Sequence, residues 1–173
     1  DLKAEGLYTK IDEMWMFLGG TATSNAVGGK ATSNLSFNGT WTHNVTGSYT
    51  AKDTANYADT GYNPTTDASG NASSDFSWGV MALENASTGY MGNGDSNGVN
   101  FMIMGASGNN GEIFMPNGVT GLGNGFTGAG ELMVSNRTAT NAWKAMYTNS
   151  GTISSVSQTT TITPYNGTLY LMG

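Results

Sequence analysis

Seven Asn-Gly dipeptides, beginning at Asn38, Asn93, Asn97, Asn110, Asn117, Asn124 and Asn166, punctuate this chain and constrain its fold more than any other feature. Asn and Gly both tolerate the positive φ angles of a two-residue hairpin turn, so each pair marks a place where a strand can reverse. Between them lie short apolar runs: Phe76 to Leu83, Val99 to Met104, Ile113 to Met115, Leu132 to Val134, Ala142 to Tyr147, Thr152 to Val156 and Thr168 to Met172. From Leu35 the period is two. Leu35, Phe37, Trp41, His43 and Val45 alternate with Ser36, Asn38, Thr40, Thr42 and Asn44, which gives one face for a core and one for water. About ten short strands spaced by tight turns predict an all-β fold, an antiparallel sandwich or barrel.

The first twenty residues follow another rhythm. Leu7, Ile11, Met14 or Trp15, and Leu18 recur at helical spacing among Lys3, Glu5, Lys10 and Asp12. This predicts one short amphipathic helix or helical turn, closed by Gly19-Gly20, with Trp15 to Leu18 open to a strand reading. Residues 1–20 are therefore a helix and lead-in strand, and residues 21–173 the sandwich of a single domain. Gly118 to Gly130 read as a Gly-rich loop.

The polarity of this chain is uncharged. Only 10% of its 173 residues are charged, against about a quarter in an ordinary cytosolic domain. Its mean hydropathy of -0.27 comes from Asn, Thr, Ser and glycine. Such surfaces are common on extracellular β-sandwiches and virion components. With no cysteine there is no disulfide framework and no thiolate metal site. The net charge of -6 and the scatter of Lys3, Lys10, Lys30, Lys52, Arg137 and Lys144 exclude a phosphate-binding surface, so nucleic acid is not an expected partner. No apolar run approaches the roughly 18 residues that span a bilayer, so neither is a membrane. The sequence opens on Asp1 and stops directly after Leu169-Tyr170-Leu171-Met172 at Gly173, and both ends read as cut from something longer.

Most motifs reduce to plainer readings. Gly123-Asn-Gly125-Phe-Thr-Gly128 spells a dinucleotide fingerprint, but a Gly-rich loop precedes it and a strand follows, where the fingerprint needs a strand and then a helix. Asn93-x-Asp95-x-Asn97-Gly98 imitates a calcium loop whose twelfth position, here Met104, should be a bidentate Glu. A solvated hairpin tip is the plain reading of that segment; a looser Ca2+ site from Asp95 and rim carbonyls is the alternative, and no other cofactor is expected. His43, the only histidine, falls on the apolar face of its strand beside Trp41, as a half-buried packing residue would. Glu84, Glu112 and Glu131 stand alone and Asp12-Glu13 diverge on a strand, so no paired carboxylates offer glycosidase chemistry and no catalytic residue is assigned. The Asn-x-Ser/Thr sequons are as many as this composition produces by chance.

Aromatic side chains near turns are the best ligand-binding material, because sugar rings stack on aromatic faces while carboxylates and amides bind their hydroxyls. Tyr57, Asp59, Tyr62, Tyr90 and Asp95 form the candidate carbohydrate-binding set.

Several segments, taken in order, resemble a known family. They are Leu2 to Ile11, Gly19-Gly20-Thr21-Ala22, Leu35-Ser-Phe-Asn-Gly-Thr-Trp-Thr-His43, Asn56-Tyr-Ala-Asp-Thr-Gly-Tyr-Asn-Pro64, Asn136-Arg-Thr-Ala139 and Gly167-Thr-Leu-Tyr-Leu-Met-Gly173. Together they look like the concanavalin A-like, laminin-G-like modules of tailed-phage structural proteins. The resemblance implies an antiparallel two-sheet jelly-roll sandwich, with Trp41 and Gly19-Gly20 at shared scaffold positions and no shared ligand set. It further implies a non-enzymatic virion module on a head, tail or fibre, displayed on the particle surface and binding host or environmental glycans weakly. Other virion proteins would be its partners. Carbohydrate-binding module of a secreted bacterial protein is the alternative reading, and sandwich-fold glycoside hydrolase a more distant one. Such modules usually continue past the last strand with another strand and a short helix. The Leu169 to Met172 strand is therefore expected to leave an open edge, and the chain to form a homo-oligomer through either terminus.

Overall fold

The computed structural model describes residues 1–17, 19–30, 33–45, 47–50, 55–69, 76–82, 89–94, 101–107, 110–115, 118–124, 131–139, 142–149, 152–158 and 166–172. The chain is all-β, with antiparallel sheets and a few short helical segments. The strands are β1 (Met14–Trp15), β2 (Gly28–Lys30), β3 (Ser36–Asn38), β4 (Trp41–Asn44), β5 (Gly47–Thr50), β6 (Tyr57–Asp59), β7 (Phe76–Ala82) and β8 (Gly89–Gly94). They continue with β9 (Phe101–Ser107), β10 (Asn110–Met115), β11 (Gly118–Asn124), β12 (Glu131–Ala139), β13 (Ala142–Asn149), β14 (Thr152–Gln158) and β15 (Tyr170–Met172). One sheet runs β11-β10-β9-β8-β15-β6-β3, a second β14-β13-β12-β7, and β1-β2 and β4-β5 form two-stranded ribbons.

The expected N-terminal helix shrinks to one 3-10 turn at Tyr8–Lys10. It ends at Ile11, which is extended (φ -92°, ψ 125°), well before Gly19-Gly20. The Lys30 ammonium donates to the carbonyls of Tyr8 (2.9 Å) and Ile11, tying the end of this turn to β2. Met14–Trp15 then pairs with β2, in line with the strand reading of this tail. Helix α1 (Ala22–Ala26) instead forms just beyond, where Thr21 and Ser24 close a capping box. A second short helix, α2 (Pro64–Asp67), starts with Asn63 as cap and proline at its first turn.

The alternating segment from Leu35 does not make one strand. Gly39, at φ +83°, turns the chain between β3 and β4, which belong to different sheets. The apolar face nevertheless survives the break: the Phe37 ring lies 5.0 Å from Trp41 and 4.7 Å from His43. Trp41 and His43 stack at 6.4 Å, and His43 is half-buried, as its place beside the indole suggests. Val45 departs from the pattern. It follows the last residue of β4 and is 73% exposed.

Gly118–Asn124, expected within a loop, is strand β11, paired from Gly118 opposite Met115 to Asn124 opposite Asn110. Its register is imposed by β10 rather than by its own poor strand propensity. Likewise Asn110-Gly111 opens β10, with Asn110 opposite Ser107, and so lies inside the ladder.

The row Phe37, Ala58, Leu171 crosses β3, β6 and β15. It faces a core of Ala26, Leu35 and Ala58, against which Trp15, Phe17, Phe37, Trp41 and Leu171 pack. Strand β15 lies between β8 and β6, hydrogen-bonded on both sides, so it is not the open edge expected of the Leu169 to Met172 segment.

Candidate functional site

Strand β6 is short because both its ends are anchored by side chains. Asn56 Oδ1 accepts the Thr40 N–H at 2.8 Å on one side. On the other, Thr60 is wholly buried, and both its N–H (3.2 Å) and its hydroxyl (2.7 Å) donate to the Leu169 carbonyl. The Leu169 N–H returns a bond to the Tyr62 carbonyl at 2.9 Å. Ala58 between these ends is 0% exposed, so alternation sends Tyr57 and Asp59 to the opposite face.

That face gathers a coherent set. Asp59 lies opposite Ser36 on β3 and Tyr170 on β15, and Tyr57 lies opposite Asn38. The rings of Tyr57 and Tyr170 meet edge to face, centroids 5.2 Å apart at 82°. Asp59 is oriented by its own turn, Oδ1 accepting the Gly61 N–H at 2.9 Å. Tyr57, Asp59, Asn38 and Tyr170 are half-buried and Ser36 is exposed. An aromatic ledge bordered by a carboxylate, an amide and a hydroxyl can hold a sugar ring by its C–H face and bind its hydroxyls.

The structure brings Tyr57 and Asp59 together and directs Tyr62 elsewhere. Tyr62 is 5% exposed, which leaves little ring to stack on a ligand. Its hydroxyl donates to Asp12 Oδ2 at 3.3 Å. Burial, and then the Asp12 charge, push the Tyr62 hydroxyl well above its ordinary range, so it remains a donor. Tyr90 sits on β8 where the register shifts between Gly89 and Met91; its side chain, like Asp95 and with it the proposed Ca2+ site, lies outside the described residues. Among the described residues no three histidine or carboxylate groups gather as a metal site. Tyr170, absent from the candidate set read from the sequence, joins Tyr57 and Asp59 here, and alternation between Leu169 and Leu171 sets it on the opposite face from them.

Asp12 ties the lead-in to the sheet. Burial alone would raise its carboxyl, but bonds from the Ser69 hydroxyl and N–H (3.0 Å to the latter) and from Tyr62, with the Lys30 charge, hold it below its ordinary value. Because the folded value is the lower one, this stabilisation is complete above the unfolded value and disappears as pH falls through the folded value. Asp12→Asn is expected to flatten the acid limb of a stability–pH curve while leaving its shape near neutrality unchanged. Urea midpoints measured from neutral pH down through the carboxylate range check this; an acid limb identical in parent and variant would overturn the role of Asp12.

No protein-family model, curated protein or solved structure matches this chain.

Proposed function

We propose that this chain is a non-enzymatic structural and adhesive module of a tailed-phage particle, displayed on its surface, with the two larger sheets packed as a jelly-roll sandwich. The reading is supported by the all-β architecture, the charge-poor cysteine-free composition and the resemblance of its sequence segments. Glycan binding is its adhesive component, and the single observation that carries this is the Tyr57–Tyr170 ring pair beside Asp59. The geometry suits low affinity. A ledge stacks one ring without enclosing it, and each aromatic contact is worth only about 1 kcal/mol.

A glycan array probed with the chain and with Tyr57→Ala and Tyr170→Ala is the test. Binding to host surface glycans is expected in the parent, reduced roughly five- to tenfold in each variant, since about 1 kcal/mol is a factor of five. An array without hits, or binding indifferent to both substitutions, overturns the adhesive part. The neighbouring genes separate the virion reading from a carbohydrate-binding module of a secreted protein. Head, tail or fibre genes beside it are expected. Sugar release from β-glucans would instead establish a hydrolase.

A further inference from the structure

An edge strand presents unpaired N–H and C=O groups, and most proteins guard such edges with charge, proline, glycine-induced irregularity or short length. The edges of the two larger sheets differ in this respect. At one end of the long sheet β3 has three residues and stops at Gly39; at the other, β11 contains Gly118, Gly121 and Gly123. In the four-stranded sheet β7 carries Gly79 at its centre. Strand β14 has none of these guards. Its seven residues, Thr152-Ile-Ser-Ser-Val-Ser-Gln158, include no charge, proline or glycine. Among the described residues it is paired on one side only, with β13 over its full length.

A second copy satisfies the charge condition at this edge. Two-fold antiparallel pairing sets a strand against its own sequence, so any charge on it faces a like charge on the copy or a near neighbour. Centred on Ser155, β14 meets its copy as Ser155 against Ser155, Ser154 against Val156 and Ile153 against Ser157, with nothing to repel. The nearest charge by register is exposed Lys144 on β13, opposite Ser157. In such a dimer the two Lys144 residues would be four residues apart along the strands and three strand spacings across. That is roughly 20 Å, well beyond a screening length of about 8 Å.

We propose that β14 is a homodimerisation edge, pairing antiparallel with β14 of a second copy to make one continuous eight-stranded sheet. The contact is thus placed along the side of β14 that no described strand covers.

The chain has no cysteine, so one engineered thiol reports without interference. Opposed residues in an antiparallel pair have Cα atoms about 4.5–5.5 Å apart, within the range that a disulfide bridges. Ser155→Cys is expected to oxidise to a covalent dimer, while Ser77→Cys, on the opposite edge strand, stays monomeric. Sedimentation velocity across a micromolar series is expected to show doubled mass for the parent and the monomer mass for Ser155→Lys, with an unchanged circular dichroism spectrum. A parent that stays monomeric throughout overturns the proposal. So does a dimer that Ser155→Lys leaves intact, or equal cross-linking from both cysteine positions. Should the lysine variant fail to fold, the two cysteine variants decide alone.

Discussion

Leu169→Ala is expected to remove about 3 kcal/mol of stability, which in a chain of this size lowers Tm by roughly 6–12 °C. Leu169 is 2% exposed, among the most fully buried side chains of the described residues. Alanine keeps the backbone bonds, so Thr60 can still donate twice to the residue 169 carbonyl and the N–H can still reach the Tyr62 carbonyl. What is lost is the methyl groups, plus the cavity that a hydrogen-bonded surrounding cannot collapse to fill. Thr60→Val makes the complementary change, keeping volume and deleting the hydroxyl that donates to Leu169 and accepts from the Tyr62 N–H at 3.1 Å. It is expected to cost less, about 1–2 kcal/mol. Thermal unfolding followed by circular dichroism measures both. A Leu169→Ala Tm within about 2 °C of the parent would mean that the side chain is not enclosed. Because Leu169 directly precedes Tyr170, the same substitution is also expected to weaken any glycan binding that depends on the Tyr57–Tyr170 ledge.

The all-β class was legible in the sequence because apolar runs are local signals, whereas the Asn-Gly pairs were poorer guides, Asn93-Gly94 and Asn110-Gly111 lying inside ladders. Phe76 to Leu83, Ala142 to Tyr147 and Thr152 to Val156 fall on β7, β13 and β14 with small shifts at their ends. Three errors share a different cause. The Leu7 to Leu18 periodicity yields only the Tyr8–Lys10 turn, because Met14–Trp15 beyond it is drawn into pairing with β2. Gly118–Asn124 looks like a loop on its own and becomes a strand only beside β10. The Leu169 to Met172 strand reads as terminal, yet it is inserted between β6 and β8. In each, a partner distant in sequence decides the outcome. The site follows the same division. Tyr57 and Asp59 share a face by simple alternation, whereas the meeting of Tyr57 with Tyr170 depends on a pairing across more than a hundred residues. The burial of Tyr62 has a related cause: nothing near it in sequence announces that Asp12 receives its hydroxyl.

Gly39→Ala is expected to cost about 2–4 kcal/mol, counting left-handed strain of about 1–2 kcal/mol and one lost part-buried hydrogen bond. Gly39 sits at φ +83°, where the chain leaves β3 for β4. A methyl group there would collide with Asn56 Oδ1 and stand 2.9 Å from the Ala55 carbonyl oxygen, which is backbone and cannot swing away. The Asn56 amide would have to move, and with it goes the 2.8 Å bond it accepts from the Thr40 N–H. The turn also positions Asn38, whose carbonyl receives the Trp41 indole N–H at 2.9 Å, so strain here loosens the Phe37–Trp41–His43 stack as well. A double-mutant cycle distinguishes this account from simple turn strain. Asn56→Ala deletes the same Thr40 bond, so once either residue is changed the second change should cost less, and the two losses should fall short of adding by about 1 kcal/mol. Full additivity would separate Gly39 from Asn56. A Gly39→Ala protein as stable as the parent would mean that the turn between β3 and β4 is not left-handed.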